Sequence, residues 1–197
     1  MPDRIVLGFD TSAAHCAAAL LRGDRLLAMR HEDMVKGQAE RLMPLLEEML
    51  SKAGLGWRDL DVLGVGTGPG NFTGIRVAVA AARGLALALR IPAIGISATE
   101  ALTWGMARPC RVVIPGRGDQ VIWQDFPESG EESLPQQAAA GALPPGPVPA
   151  VPAVALAEGV VRMAARRADR PQPRPAPLYL RPADAAPARE APPLILP

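Results

Sequence analysis

The chain has 197 residues, 49% of them apolar, enough for one sizeable core with a small appendage. A formal charge of +1 at pH 7 excludes a strong general attraction to nucleic acid, and 4% aromatics exclude a base-stacking platform. The two cysteines, Cys16 and Cys110, form no CxxC pattern, which excludes a disulfide scaffold and points to a reducing compartment.

Met1-Pro2-Asp3-Arg4 leads directly into a strand, without a signal peptide's apolar run, so a cytoplasmic location is expected. Ile5–Phe9, Cys16–Leu21 and Arg25–Arg30 read as three strands, the last two joined by the polar turn Arg22-Gly23-Asp24. Gln38–Ala53 is an amphipathic helix: Leu42, Leu45, Leu46, Met49 and Leu50 recur at three- and four-residue spacing, and Gly54 stops it. A helical turn at Trp57–Leu60 precedes the buried strand Leu60–Val65. Ile75–Leu89 is helical, Pro92 ends it, and Ala93–Ser97 is a further strand. The apolar tract Val77–Leu89, interrupted by Arg83, is expected to fall short of a membrane span. Antiparallel strands followed by alternating helix and strand predict an α/β unit with a mixed sheet.

Beyond residue 105 the composition changes. Sixteen of the twenty-two prolines lie at or beyond Pro127. Strands are expected at Arg111–Ile114 and Gln120–Phe126, a flexible loop at Pro135–Pro152, a helix at Ala153–Arg167, and extended chain from Arg170. The expected division is a complete lobe over 1–105 and a reduced, proline-rich second lobe over 106–197.

Two segments carry candidate chemistry. Asp10-Thr11-Ser12 ends the first strand, and Gly66-Thr67-Gly68-Pro69-Gly70-Asn71-Phe72-Thr73-Gly74-Ile75-Arg76 joins a strand to a helix. A glycine-rich turn before a helix N-terminus suits an anion, because backbone amides point outward there. On that reading Asp10, Thr11, Ser12, Gly68, Gly70, Thr73 and Arg76 form a phosphate or nucleotide loop. The competing reading is a capped turn, with Asp10 and Ser12 satisfying local amides, Phe72 plugging the core and Arg76 pairing with a carboxylate. The helix that follows is smooth: Ala78, Ala80, Ala81, Ala82, Gly84, Ala86 and Ala88 let a neighbouring helix approach closely. His15 and His31 read as surface or turn residues, Cys16 as a structural thiol, and no metal site is expected. The arginines 162, 166, 167, 170 and 174 read as a solvated face, with contact to nucleic-acid phosphates as the other possibility.

Ile5-Val6-Leu7-Gly8-Phe9-Asp10-Thr11-Ser12, Arg41-Leu42-Met43-Pro44 and Gly68-Pro69-Gly70-Asn71-Phe72-Thr73-Gly74-Ile75-Arg76 together resemble the TsaB (YeaZ) family. Gly84-Leu85-Ala86, Ile94-Gly95-Ile96-Ser97 and Pro177-Leu178-Tyr179-Leu180-Arg181 extend the match. The resemblance implies an actin-like (ASKHA, ribonuclease H-like) α/β lobe with a mixed sheet, plus a reduced second lobe of the same type. It implies a non-catalytic scaffold in the making of threonylcarbamoyladenosine in tRNA, pairing with a TsaD-like protein, with a TsaE-like ATPase completing the complex. tRNA is then an indirect partner, a homodimer is a further expectation, no membrane is involved, and no cofactor is firmly implied beyond ATP or ADP in the complex. Pairing through the two helices implies an interface at Leu42, Leu45, Leu46, Met49, Ala78, Ala81, Ala82 and Leu85. The related catalytic protein holds metal through two histidines four residues apart, where this chain has Ala98 and Leu102, so autonomous metal-dependent transfer is not expected. A family Asp-Ala-Arg-like segment reads here as Pro115-Gly116-Arg117-Gly118-Asp119. The alternative from another class is an ATP-using kinase or hydrolase of the same superfold, which needs a full second lobe to close over nucleotide.

Overall fold

The computed structural model describes residues 3–180. Its centre is a five-stranded sheet in the order β3-β2-β1-β4-β5, formed by β1 (Ile5–Asp10), β2 (His15–Arg22), β3 (Arg25–Asp33), β4 (Val62–Gly66) and β5 (Ala93–Ile96). β1, β2 and β3 pair antiparallel, whereas β4 and β5 run parallel to β1, giving the mixed sheet expected of an actin-like lobe.

Alternation along the strands loads both faces of this sheet. Leu7, Phe9, Cys16, Ala18, Leu20, Leu63 and Val65 point to one side, where α1 (Gln38–Lys52) and α2 (Phe72–Leu89) cover them. Val6, Ala17, Ala19, Leu21, Val62 and Ile94 point to the other. That second face is covered by α4 (Leu156–Arg167), through Ala157, Val160, Val161 and Ala164. A Cβ on Gly8 would lie 2.8 Å from Val161 Cβ, and one on Gly64 2.8 Å from Ala164 Cβ, so these glycines let the helix settle directly on the strands. The helix expected in the second lobe therefore packs on the first. The chain leaves the first sheet, builds a second, and returns to close the core it left.

Two element starts differ from the sequence expectation. α2 begins at Phe72 rather than Ile75, because the Asn71 side chain accepts from Thr73 N and Gly74 N and caps an earlier turn. α4 begins at Leu156 rather than Ala153. By length and composition α2 is also long and apolar enough to cross a membrane, which corrects the expectation for Val77–Leu89. Its inner side, Ile75, Ala78, Val79 and Ala82, is packed into this core.

After the short helix α3 (Ala98–Ala101) comes a three-stranded antiparallel sheet of β6 (Cys110–Pro115), β7 (Gln120–Phe126) and β8 (Gln136–Ala139). Pro115–Gln120 is the turn of its first hairpin, closed by Gly116 N donating to Gln120 O at 2.9 Å. Among the described residues this sheet has no long helix of its own. The segment expected as a flexible loop, Pro135–Pro152, contains β8 and is held by Arg111. The Arg111 guanidinium is bidentate to Asp125 at 2.6 and 2.7 Å and donates to Pro144 O at 2.7 Å. It also lies 4.6 Å from the Trp123 ring centroid, and Ala150 N donates to Arg111 O at 3.0 Å. A buried cation thus organises a segment whose composition alone argues for disorder.

Candidate functional site

Asp10-Thr11-Ser12 and the glycine-rich loop meet at the carboxyl ends of β1 and β4, and all three residues of the first segment are buried. Asp10 Oδ1 accepts from Ser12 N at 2.9 Å, Ser12 Oγ at 2.8 Å and His15 Nε2 at 2.8 Å. Its Oδ2 is buried without a hydrogen-bond partner and lies against Gly66, where a Cβ would come within 1.7 Å of it. His15, expected at the surface or in a turn, is 9% exposed and packs at a tilt with its ring centroid 4.9 Å from that of the exposed His31, which itself contacts Asp33 at 3.1 Å. Nothing in the local spacing announces the Asp10–His15 contact, because it depends on the β1–β2 pairing.

The loop is bound just as tightly to the first segment. Thr11 Oγ1 donates to Gly74 O at 2.6 Å, and Asn71 N donates to Ser12 O at 2.5 Å. A Cβ on Gly70 would sit 2.1 Å from Ser12 O, and one on Gly74 1.9 Å from Thr11 O. These glycines are required by the approach of one backbone to another. Gly68, with φ +92°, adopts a left-handed conformation that favours glycine, and its carbonyl accepts from Ala98 N at 2.7 Å. At the start of α2 the Thr73 and Gly74 amides are taken by Asn71 Oδ1 at 2.9 and 3.1 Å.

Several of the candidate cradle donors therefore have internal acceptors: Thr11 bonds Gly74, Ser12 bonds Asp10, and the Thr73 and Gly74 amides bond Asn71. Arg76 donates through Nε to Tyr179 Oη at 2.8 Å, with its guanidinium 3.7 Å from the Phe72 ring centroid. It pairs with an aromatic pair, not with the carboxylate of the competing reading. The structure brings Asp10, Thr11, Ser12, Gly68, Gly70, Thr73 and Arg76 together and ties Thr11, Ser12 and the start of α2 into the junction itself.

The eight residues expected at a partner interface fall mainly inside. Leu42, Leu45, Leu46, Met49, Ala78 and Ala82 are at most 1% exposed, and only Ala81 and Leu85 reach partway to the surface. Apolar residues at helical spacing face the sheet, which is why the pattern exists. The outward side of α2 instead presents Ala80, Arg83, Gly84, Leu87 and Ala88, and that of α1 presents Glu40, Met43, Pro44 and Glu47. Leu87 is 83% exposed and Met43 37%.

Ala98 and Leu102 lie on and just after α3, and among the described residues no group of three or more His, Cys, Asp or Glu side chains could hold a metal ion. Burial pushes the Cys16 thiol up to about 11, and burial also raises that of Cys110, as structural thiols require. The basic run near the end is largely committed: Arg162 pairs with Glu158 at 2.8 Å, Arg167 with Glu100, and Arg166 lies 5.6 Å from the Trp104 ring centroid. Sequence reasoning missed Asn71, His15 and Thr67 as parts of this site. It quoted Tyr179 only within a tail string whose last residue, Arg181, lies outside the described residues.

A family model described as "TsaD: tRNA N6-adenosine threonylcarbamoyltransferase" matches residues 32–143. The tRNA threonylcarbamoyladenosine biosynthesis protein TsaB of Escherichia coli (strain K12) is 31% identical over 126 residues, which are 61% of this chain and 54% of that protein. An uncharacterized protein of Mycobacterium tuberculosis (strain ATCC 25618 / H37Rv) is 31% identical over 198 residues, covering 92% of this chain and 94% of its own length. A crystal structure from Pseudomonas aeruginosa, described as similar to peptidase YEAZ, superposes with a TM-score of 0.73 at 26% identity, covering 90% of this chain and all of that one. The chain spans about half the length of the curated TsaB relatives it matches, 54% in Escherichia coli and 43% in Haemophilus influenzae.

Proposed function

Since the chain belongs to the TsaB (YeaZ) family, we propose that it serves tRNA threonylcarbamoyladenosine synthesis as a non-catalytic partner subunit docking on a TsaD-like protein. The observation that carries this reading is the outward side of α2. Ala80, Gly84, Leu87 and Ala88 make an exposed apolar stripe, and a Cβ on Gly84 would meet nothing within 4 Å. A stripe of small side chains ending in an exposed leucine suits close approach by a partner helix. Arg83 on α2 and Glu40 and Glu47 on α1 put opposite charges at its margins, which favours register and association rate more than affinity. The internal commitment of the loop's donors supports a scaffold over an ATP-using enzyme.

In this reading tRNA is met through the complex, a TsaE-like ATPase supplies nucleotide turnover, and a homodimer competes for the same helix face. The test is calorimetry between this chain and the TsaD-like protein of its own organism, with Leu87→Glu beside it. Leu87→Glu should weaken pairing at least tenfold without unfolding the chain, because a carboxylate would be desolvated without a partner. Absence of any association by the unaltered chain, or steady ATP turnover by it alone that Asp10→Asn abolishes, would sink the reading.

A further inference from the structure

An extended segment, 175–179, lies along the glycine-rich loop. Leu178 N donates to Thr67 O at 2.8 Å, adding an extended residue to the backbone just past β4. Two glycines leave the trench in which this segment lies. A Cβ on Gly68 would stand 3.0 Å from Leu178 O, and one on Gly95 would stand 3.4 Å from Pro175 Cα. Pro175 is buried there. At the far end Tyr179 Oη accepts from Arg76 Nε at 2.8 Å, and its ring lies 4.8 Å from that of Phe72. The Arg76 guanidinium sits 3.7 Å from the Phe72 centroid and 5.7 Å from that of Tyr179.

We infer that Pro175–Tyr179 is a latch occupying the ground above the glycine-rich loop that a phosphate-bearing ligand would take, so that latch and such a ligand exclude one another. Three kinds of contact close it: a backbone hydrogen bond to Thr67, a proline buried beside Gly95, and an aromatic–guanidinium clasp on the first turn of α2. Prolines at 171, 173, 175 and 177 hold the segment extended before it binds, which reduces the entropy lost in closing. Arg76 is the one basic side chain of the loop motif, and the clasp takes up its Nε and holds its guanidinium against two rings. The latch also ties the tail to α2, so the first turn of that helix is fixed from both ends.

Tyr179 is the only tyrosine in the chain, so 3-fluorotyrosine labelling of the full-length protein gives one fluorine resonance that reports the latch. A closed latch puts this resonance away from the free-tyrosine position. Arg76→Ala should move it toward that position and speed exchange of the Leu178 amide on the order of tenfold, since one charge-assisted hydrogen bond and a cation–aromatic contact are lost. Arg76→Lys should restore part of the shift. Adding Mg-ATP or inorganic phosphate should either leave the resonance in place without binding, or bind and drive it to the free position. Binding with the resonance unmoved overturns the inference, as does a free-tyrosine resonance in the unaltered chain or one indifferent to Arg76→Ala. Should Arg76→Ala not fold, chymotryptic cleavage after Tyr179 in the unaltered chain decides instead. Cleavage at the rate of an unstructured peptide refutes the latch, and strong protection supports it.

Discussion

Asp10 is an uncommon buried carboxylate, with one oxygen satisfied three times over and the other facing Gly66 without a partner. It holds the turn into β2 by taking Ser12 and His15 together, and that turn is what the glycine-rich loop packs against. The glycines of the loop follow from the same contact. Gly74→Ala would place a methyl 1.9 Å from Thr11 O, a backbone atom that cannot step aside. We expect a loss of about 3 kcal/mol or more in denaturant unfolding, at the upper end of overpacking costs, and Gly70→Ala should behave alike. Cys16, buried beside this turn, makes a separate prediction. Its thiol is raised by burial from 9.0 to about 11, so the unfolded chain ionises first and binds fewer protons within that window. The contribution is complete below pH 9 and is lost as pH rises toward about 11. The stability of the native chain should therefore fall over that window by roughly 3 kcal/mol more than that of Cys16→Ala.

Helix α2 is the element on which the loop, the core and the proposed partner surface converge. Its start is set by Asn71, whose side chain satisfies two amides of the first turn. Asn71→Ala should cost about 1 kcal/mol and leave the fold intact, as loss of an N-cap does elsewhere. Its middle holds Gly84 in exposed helix, where a methyl would touch nothing. Gly84→Ala should stabilise the isolated chain by about 0.5–1 kcal/mol, by helix propensity and a less disordered unfolded state. The same change should lower affinity for a TsaD-like partner if that surface is used, so thermal melting and calorimetry would move in opposite directions. Glycine at this position is otherwise a cost to the helix without a return in the core. Arg41 on α1, by contrast, is a scaffold residue: it bridges Glu32 on β3 and Glu48 one helical stretch later, at 2.7 and 2.6 Å, and holds both carboxyls below the usual range.

At the scale of the whole molecule, the first sheet is completed by a helix that arrives after the second sheet has been built. Truncation before residue 156 would strip one face of the core, exposing Val6, Leu21, Val62 and Ile94. Among the described residues the second sheet has little core, with only Cys110, Val112 and Phe126 forming its buried cluster, and it relies on polar ties. Arg111 is the chief of these. Arg111→Leu should cost on the order of 3 kcal/mol locally, because Asp125 and the Pro144 carbonyl lose a desolvated partner, and should open 135–152 to proteolysis while the first lobe stays protected.

Much was legible in the chain before any coordinates. Strand alternation, the leucines of Gln38–Ala53 and the two proline or glycine stops specify the first lobe, because period and punctuation are local properties and the core is built from them. The match to one family rests on strings of contiguous residues for the same reason. What the sequence left open depends on which distant segments touch. Whether Thr11, Ser12 and the loop amides face a ligand or each other, whether His15 meets Asp10, which side of α2 stays bare, and whether the tail lies over Gly68 are facts of pairing between residues up to about a hundred positions apart. Hydrogen-bond donors have no preference in sequence between a phosphate and a carbonyl. Only the folded chain, by bringing Gly74, Asn71 and Tyr179 within bonding distance, decided which of these donors bond within the protein.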